Sequence, residues 1–207
     1  MAKSKTSEVF KLFDVRASFA QLDVAKSFKP GQKKRYELTV LLDPTREDHA
    51  KQIALIKDHA KKLVIAQWGE KPEDLQKCFG LADEHPKKKK YDGYKGMFYF
   101  VMARNEDDGP ATIVGRTKVD EAFVAQRPGM PEWPFSGAFV NTNPTLWAQD
   151  NEWGKAIRGN LRIVQFVRKG DAFGKGSADA NDEFQALGDA PGTTAGGVAQ
   201  VDGGFDL

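Results

Sequence analysis

Between residues 87 and 104 the chain sets four consecutive lysines, Lys87, Lys88, Lys89 and Lys90, beside two tyrosines spaced by glycine, Tyr91 and Tyr94. It then runs through Lys95 into an apolar, aromatic segment of strand length, Met97 to Arg104. These residue types suit one chemistry. Lysine ammonium groups displace condensed counterions from a phosphate backbone, and aromatic faces accept unstacked bases. The competing reading is a solvated lysine loop followed by a core strand. Catalysis has less to build on. There are three histidines, His49, His59 and His85, and the first two stand ten residues apart on a helical stretch, off one another's face. No HExxH, G-x-S-x-G, phosphate-loop or zinc spacing occurs, and Asp107-Asp108 before Gly109-Pro110 reads as a turn. The single cysteine, Cys78, allows neither an internal disulfide nor a cysteine-based zinc site. The expectation is a non-catalytic protein with no metal and no cofactor.

The net charge of +2 conceals an uneven distribution. Residues 171–207 hold seven acidic side chains against Lys175, a net of −6, whereas residues 1–170 hold 30 basic against 22 acidic, a net of +8. A basic body joined to an acidic tail points to nucleic acid. The tail carries eight glycines and few large apolar residues, too little apolar surface to offset the entropy of ordering it. The division expected is therefore a binding domain over 1–170 and a disordered acidic, glycine-rich tail over 171–207. The polar N-terminus has no signal-peptide core, and no apolar run approaches the roughly 20 residues a membrane helix needs. A soluble, cytoplasmic protein without membrane contact is expected.

The elements that position these residues are mostly strands. Val9–Leu22 and Lys33–Leu42 alternate apolar and polar positions around a Lys29-Pro30-Gly31-Gln32 turn. Asp43-Pro44 starts a helix, Asp43 capping and Pro44 in the first turn, that runs to about Trp68 with Ile53, Ile56, Ala60, Leu63 and Val64 on one face. A shorter helix is predicted over 72–79. The 97–104 strand has Phe98, Phe100 and Met102 on the face favoured as core, and a hairpin through 105–110 leads to a strand over 111–117. Residues 127–137 are too proline-rich for regular structure and expose Trp133 and Phe135. A strand over 138–142 follows, then an irregular connection holding Trp147 and Trp153, then a last strand, 159–168, with Arg162 and Arg168 on one parity. With six or so strands, one inserted helix and no βαβ alternation, the fold class is mainly β. A Greek-key barrel of the OB-fold type, which presents one face and its loops to oligonucleotides, leads a sandwich.

Asp92-Gly93-Tyr94-Lys95-Gly96-Met97-Phe98-Tyr99-Phe100, Ser136-Gly137-Ala138-Phe139-Val140-Asn141 and Gly159-Asn160-Leu161-Arg162-Ile163-Val164-Gln165, with the near-terminal Phe205, carry a family resemblance. On them the chain resembles the single-stranded DNA-binding proteins of tailed bacteriophages, related to their OB-fold helix-destabilising replication proteins. The resemblance implies non-catalytic coating and protection of single strands in replication, recombination and repair, with the tail contacting replication proteins such as a polymerase or helicase. It is compatible with a homodimer. The chain departs from the pattern in ending Phe-Asp-Leu and in spreading its tail acids. Stacking rings are sought in Tyr91, Tyr94, Tyr99, Trp133 and Phe135. Phosphate contacts are sought in Lys33, Lys34, Arg35, Lys87, Lys88, Lys89, Lys90, Lys95, Arg104, Arg116, Arg162 and Arg168, and partner contacts in Asp202, Phe205, Asp206 and Leu207. The alternatives are an RNA-binding or strand-annealing protein and a β-rich virion or scaffold protein.

Overall fold

Apolar and aromatic runs bounded by glycine, proline and acidic turns form eleven strands and one long helix among the described residues, 4–27, 31–91 and 93–173, of the computed structural model. These residues fall within the first of two compact units, Met1–Lys175. In chain order the elements are β1 (Leu12–Lys26), β2 (Arg35–Leu42), α1 (Glu47–Trp68), β3 (Gln76–Lys77), β4 (Phe79–Leu81), β5 (Phe98–Asn105), β6 (Thr112–Val119), β7 (Ala122–Ala125), β8 (Phe139–Thr142), β9 (Thr145–Asn151), β10 (Gly154–Asn160) and β11 (Ile163–Arg168).

The strands make a closed circuit. β2 lies antiparallel between β1 and β5, its eight residues paired from Arg35↔Asn105 to Leu42↔Phe98. β5 runs parallel to β10 at Gly159↔Met102. β10 passes through Leu161 and Arg162 into β11, which pairs antiparallel with β8, and β8 returns to β1. This is the mainly β, Greek-key barrel expected of the sequence, with α1 inserted between two of its strands. β1 bends around the barrel through register shifts near Asp14 and Phe19, two non-glycine residues at φ 50 and 47. β-bulges commonly provide such bends.

Phe98, Phe100 and Met102 enter the main core with Leu12, Leu38 and Val40, as the parity of β5 implies. The opposite face of β5 carries Tyr99, which packs in a second cluster with Leu41, Ala82 and Tyr94. α1 adds Ile53, Ile56, Ala60, Leu63 and Val64 to the main core, and each buried aliphatic side chain of the larger kind contributes about 1.5 to 3 kcal/mol.

Several expectations change. Arg46, extended and without a side-chain cap bond, precedes α1, while Asp43 accepts from the N–H and hydroxyl of Thr45 at 2.9 and 2.7 Å, so Asp43 closes a turn ahead of the helix. The helix expected over 72–79 is absent: Cys78 N–H donates to Ile157 O at 3.1 Å and its carbonyl accepts from Val101 N–H at 2.8 Å, so the sheet takes these backbone groups. β6 does not form a hairpin with β5. It pairs parallel with β11 and antiparallel with β7. The stretch around Trp147 and Trp153 is a regular hairpin, β9 to β10, paired from Gly154↔Asn151 to Asn160↔Thr145. The last strand is interrupted at Leu161–Arg162, where the chain crosses from β5 to β8, so the shared parity of Arg162 and Arg168 does not place them together.

Candidate nucleic-acid interface

The pairing of β2, β5 and β10 turns Arg35, Glu37, Tyr99, Val101, Ala103 and Arg158 into a cleft of about 610 Å³ on the outside of the barrel. Lys77, His85, Lys88 and Trp147 complete its walls. Trp147 faces Arg158 across the β9–β10 ladder, and its backbone bridges to Thr6. An adjoining cleft is lined by Lys33, Arg35, Arg158 and Trp153, between the β1–β2 connection and the tip of the β9–β10 hairpin. Trp153 is 76% exposed, with Gly154 at φ 97 making the hairpin turn beside it. A large ring this accessible offers a stacking surface at no cost to the core.

The cations of the groove are held in different ways. Arg158 donates to Gln149 Oε1 at 3.2 Å and to Gln76 Oε1 at 3.4 Å, both neutral acceptors. Arg35 pairs with Glu37 at 2.7 Å. Lys88 lies with its Nζ 4.7 Å from the centre of the Tyr99 ring and 5.6 Å from that of Tyr94. Burial depresses the Lys88 ammonium below the usual lysine value, with Glu37 pulling the other way. Burial and the charge of Lys88 likewise depress His85, which meets the edge of Tyr99 at 5.5 Å. Lys33 pairs with Asp107 at 2.8 Å and Lys34 with Glu106 at 3.8 Å. Exposed ion pairs of this kind are weakly held.

Lys88 also borders a second feature, an aromatic step. Phe19, 46% exposed on a β1 bulge, meets the edge of Tyr91, 41% exposed, at 5.0 Å, and Tyr91 meets Tyr94 at 5.4 Å. A phenylalanine at positive φ is a strained choice, and such strain persists where neighbouring structure or function fixes it. Tyr94, sought as a stacking ring, is only 1% exposed and donates its hydroxyl to Ser18 Oγ at 3.0 Å, so it offers little free face; burial pushes its hydroxyl up to about 12.

The residues singled out from sequence are thus spread unevenly. Arg35, Lys88, Tyr99 and Arg104 line the groove and Lys33 its extension, while Lys90, Tyr91 and Tyr94 line the step. Tyr99 offers little free face, being 6% exposed beneath Lys88. Arg104 is tied to the carbonyls of Asp108 at 2.6 Å and Gly109 at 2.9 Å. Lys87, Lys89 and Lys95 are exposed on the flank. Arg116 is held by Glu132 at 2.7 Å, and Arg168 by Asp14 at 3.0 Å with its guanidinium over Phe139. Trp133 packs on the core and Phe135 is half-buried, so the expected exposure of both rings is corrected. Arg162 lies in the β10–β11 junction. Asp202, Phe205, Asp206 and Leu207 fall outside the described residues. Arg158, Lys77, Trp147, Trp153, Arg16 and Phe19 are additions that the sequence reading did not select. The alternation Leu146-Trp147-Ala148 followed by Asn151 and Gly154 was the available signal for the hairpin.

Residues 8–194 match the family model described as the single-stranded DNA-binding protein of Enterobacter phage Enc34. The chain belongs to this Enc34-type family of phage single-stranded DNA-binding proteins. Protein p50 of Acyrthosiphon pisum secondary endosymbiont phage 1 is 30% identical over 190 residues, which cover 86% of this chain and 92% of that protein. The Enc34 family member solved in complex with single-stranded DNA superposes with a TM-score of 0.66 at 18% identity, covering 80% of this chain and 89% of its own. A second structure of the single-stranded DNA-binding protein from bacteriophage Enc34 gives a TM-score of 0.60 at 19% identity, covering 86% of this chain and 90% of its own. At these identities the Enc34 structures support the shared fold. Among the described residues no helix is long and apolar enough to cross a membrane, and no cluster of three metal-ligating side chains occurs.

Proposed function

We propose that the chain binds single-stranded DNA without sequence preference, laying the phosphate backbone along the groove over β2, β5 and β10. The observation that carries this reading is the position of the groove: the outer face of β2 and β5, between the β1–β2 connection and the β9–β10 hairpin, is where barrels of this type take oligonucleotides. Arg35, Lys77, Lys88 and Arg158 contact phosphates, with Lys87, Lys89, Lys90 and Lys95 on the approach, while Trp147, Trp153 and Tyr91 stack bases. None of these contacts reads a base edge, so the binding is sequence-neutral.

In this role the protein coats and protects single strands during phage replication, recombination and repair in the host cytoplasm, without catalysis. The acidic segment 171–207, tethered to a body of net +8, competes with DNA at high effective concentration and is displaced by long strands. Its end, with Asp202, Phe205, Asp206 and Leu207, then contacts a polymerase or helicase. The test is titration of a fluorescent 30-mer as single strand, duplex and RNA across a salt series, with light scattering to read homodimer formation. Tight single-strand binding with a steep salt slope supports the proposal. Equal affinity for RNA moves the reading to RNA binding or annealing, and large assemblies without nucleic acid move it to a scaffold.

A further inference from the structure

The aromatic step differs from the groove in being filled by the chain itself. Arg16 of β1 donates from Nη2 to the carbonyl oxygen of Asp171 at 2.8 Å, and its guanidinium lies 4.1 Å from the centre of the Phe173 ring. Phe173 rests against Tyr94 at 6.4 Å, in a cleft of about 350 Å³ that Phe19, Lys90 and Tyr91 also line. Its N–H donates to Ser136 O at 3.2 Å. Glycines make room for the segment: a Cβ at Gly93 would collide with the Phe173 ring, and one at Gly137 with the backbone of Asp171 and Ala172.

Two features of Arg16 go further. Among the described residues its cation has a backbone carbonyl, rather than a carboxylate, as its hydrogen-bond acceptor. Its Nε is buried without a hydrogen-bond partner. An arginine held between one oxygen and one ring, with a donor to spare, presents the fork that a phosphate oxygen and a stacked base would fill. Residues 171–173 supply a weaker version of both: a peptide carbonyl where a phosphate oxygen would sit, and a phenyl ring where a base would lie.

We infer that Arg16, Phe19 and Tyr91 form a subsite for one nucleotide, and that Asp171 and Phe173 occupy it in the free protein as an internal mimic of that nucleotide. The inference rests on the single-stranded DNA reading above and adds a residue-level switch that does not depend on the tail's acids. A strand entering the groove past Lys88 reaches the step, its base takes the place of Phe173, and its phosphate takes the place of the Asp171 carbonyl on Arg16. The start of the tail leaves as the strand arrives.

The experiment uses the full chain, with Phe173→Ala, Arg16→Ala and the double variant titrated against fluorescently labelled dT30 beside the wild type. Phe173→Ala binds about 5- to 10-fold tighter, the lower end of the range for one stacked ring. Its salt slope stays that of the wild type because no charge is lost. Arg16→Ala alone binds dT30 more weakly than the wild type, since the phosphate contact it loses is stronger than the carbonyl contact of the mimic, and in the double variant the gain from Phe173→Ala is lost. Affinity in Phe173→Ala equal to or below wild type, or a gain that survives Arg16→Ala, overturns the inference while leaving DNA binding intact. Absence of wild-type binding at low salt overturns both. Hydrogen exchange on the wild type covers variants that fold poorly: the Phe173 amide exchanges faster when dT30 is added, and unchanged or slower exchange overturns the inference.

Discussion

The groove and the aromatic step sit side by side, share Lys88, and are built on opposite principles. The groove follows from regular pairing: the unbroken register of β2 on β5, and the β9–β10 ladder, place Arg35, Tyr99, Trp147 and Arg158 where strand geometry dictates. The step follows from departures from regularity, namely a bulge with Phe19 at φ 47, Gly93 at φ 73 and Gly137 at φ 118. Regular pairing yields an open surface with its charges displayed, whereas the irregular region yields a closed one that the chain occupies. On the function proposed above, one barrel holds a ready part and a guarded part of the same surface.

The largest effect that could break this comparison is electrostatic. If about five phosphates are neutralised in the groove, raising salt from about 50 to about 200 mM weakens single-strand binding about 100-fold, with a logarithmic slope near −3.5. A slope near zero would remove the groove from the account. Next in size, Trp153→Ala weakens binding about 10-fold, within the range for one stacked base, and leaves stability unchanged because the ring is exposed. Trp133→Ala does the reverse: it packs on the core, so the melting temperature falls while the affinity of the folded protein holds.

A smaller change separates displayed from committed cations. Arg158→Ala lowers the magnitude of the salt slope by about 0.7, the share of one phosphate on a single strand, whereas Arg116→Ala, outside the residues that line the groove, leaves it unchanged. The pH dependence of affinity sharpens the point where the regions meet. Because burial depresses Lys88, its charge is lost at lower pH than that of ordinary lysines, so affinity falls early on the alkaline side and Lys88→Arg flattens the fall. The smallest effect belongs to the step. Tyr94→Phe removes the bond to Ser18 and costs about 1 kcal/mol, read by denaturant unfolding. With the folded-state value raised to about 12, the contribution of the neutral Tyr94 is complete below about pH 10, the unfolded value. It is lost as pH climbs through that window, so the variant loses less stability there than the wild type.

How much of this was legible in the sequence follows the same division. Phe98, Phe100 and Met102 announce the core face of β5 by parity, and Ile53, Ile56, Ala60, Leu63 and Val64 announce α1 by helical spacing, because local period and tertiary burial agree. Cys78 and its neighbours misled because a two-residue strand at a sheet edge leaves no periodicity to read. The lysines at 33 and 34 read as free charge, yet their partners Asp107 and Glu106 lie more than seventy residues away and become neighbours only when β2 pairs with β5. Arg168 misled in the same way through Asp14. Phe19 carries no signal at all, since its exposure comes from a bulge that sequence alternation conceals.

Closure of the barrel through Leu161 and Arg162 bears on how the protein is made. β1, near the start of the chain, finds its second neighbour only in β8, and β5 and β8 are joined into a ring only through the β10–β11 segment that ends at Arg168. Contacts so distant in sequence make folding slow, on the order of milliseconds to seconds for barrels of this kind. On the ribosome the ring stays open until nearly the whole basic body has emerged, and the acidic segment is the next stretch of chain to appear.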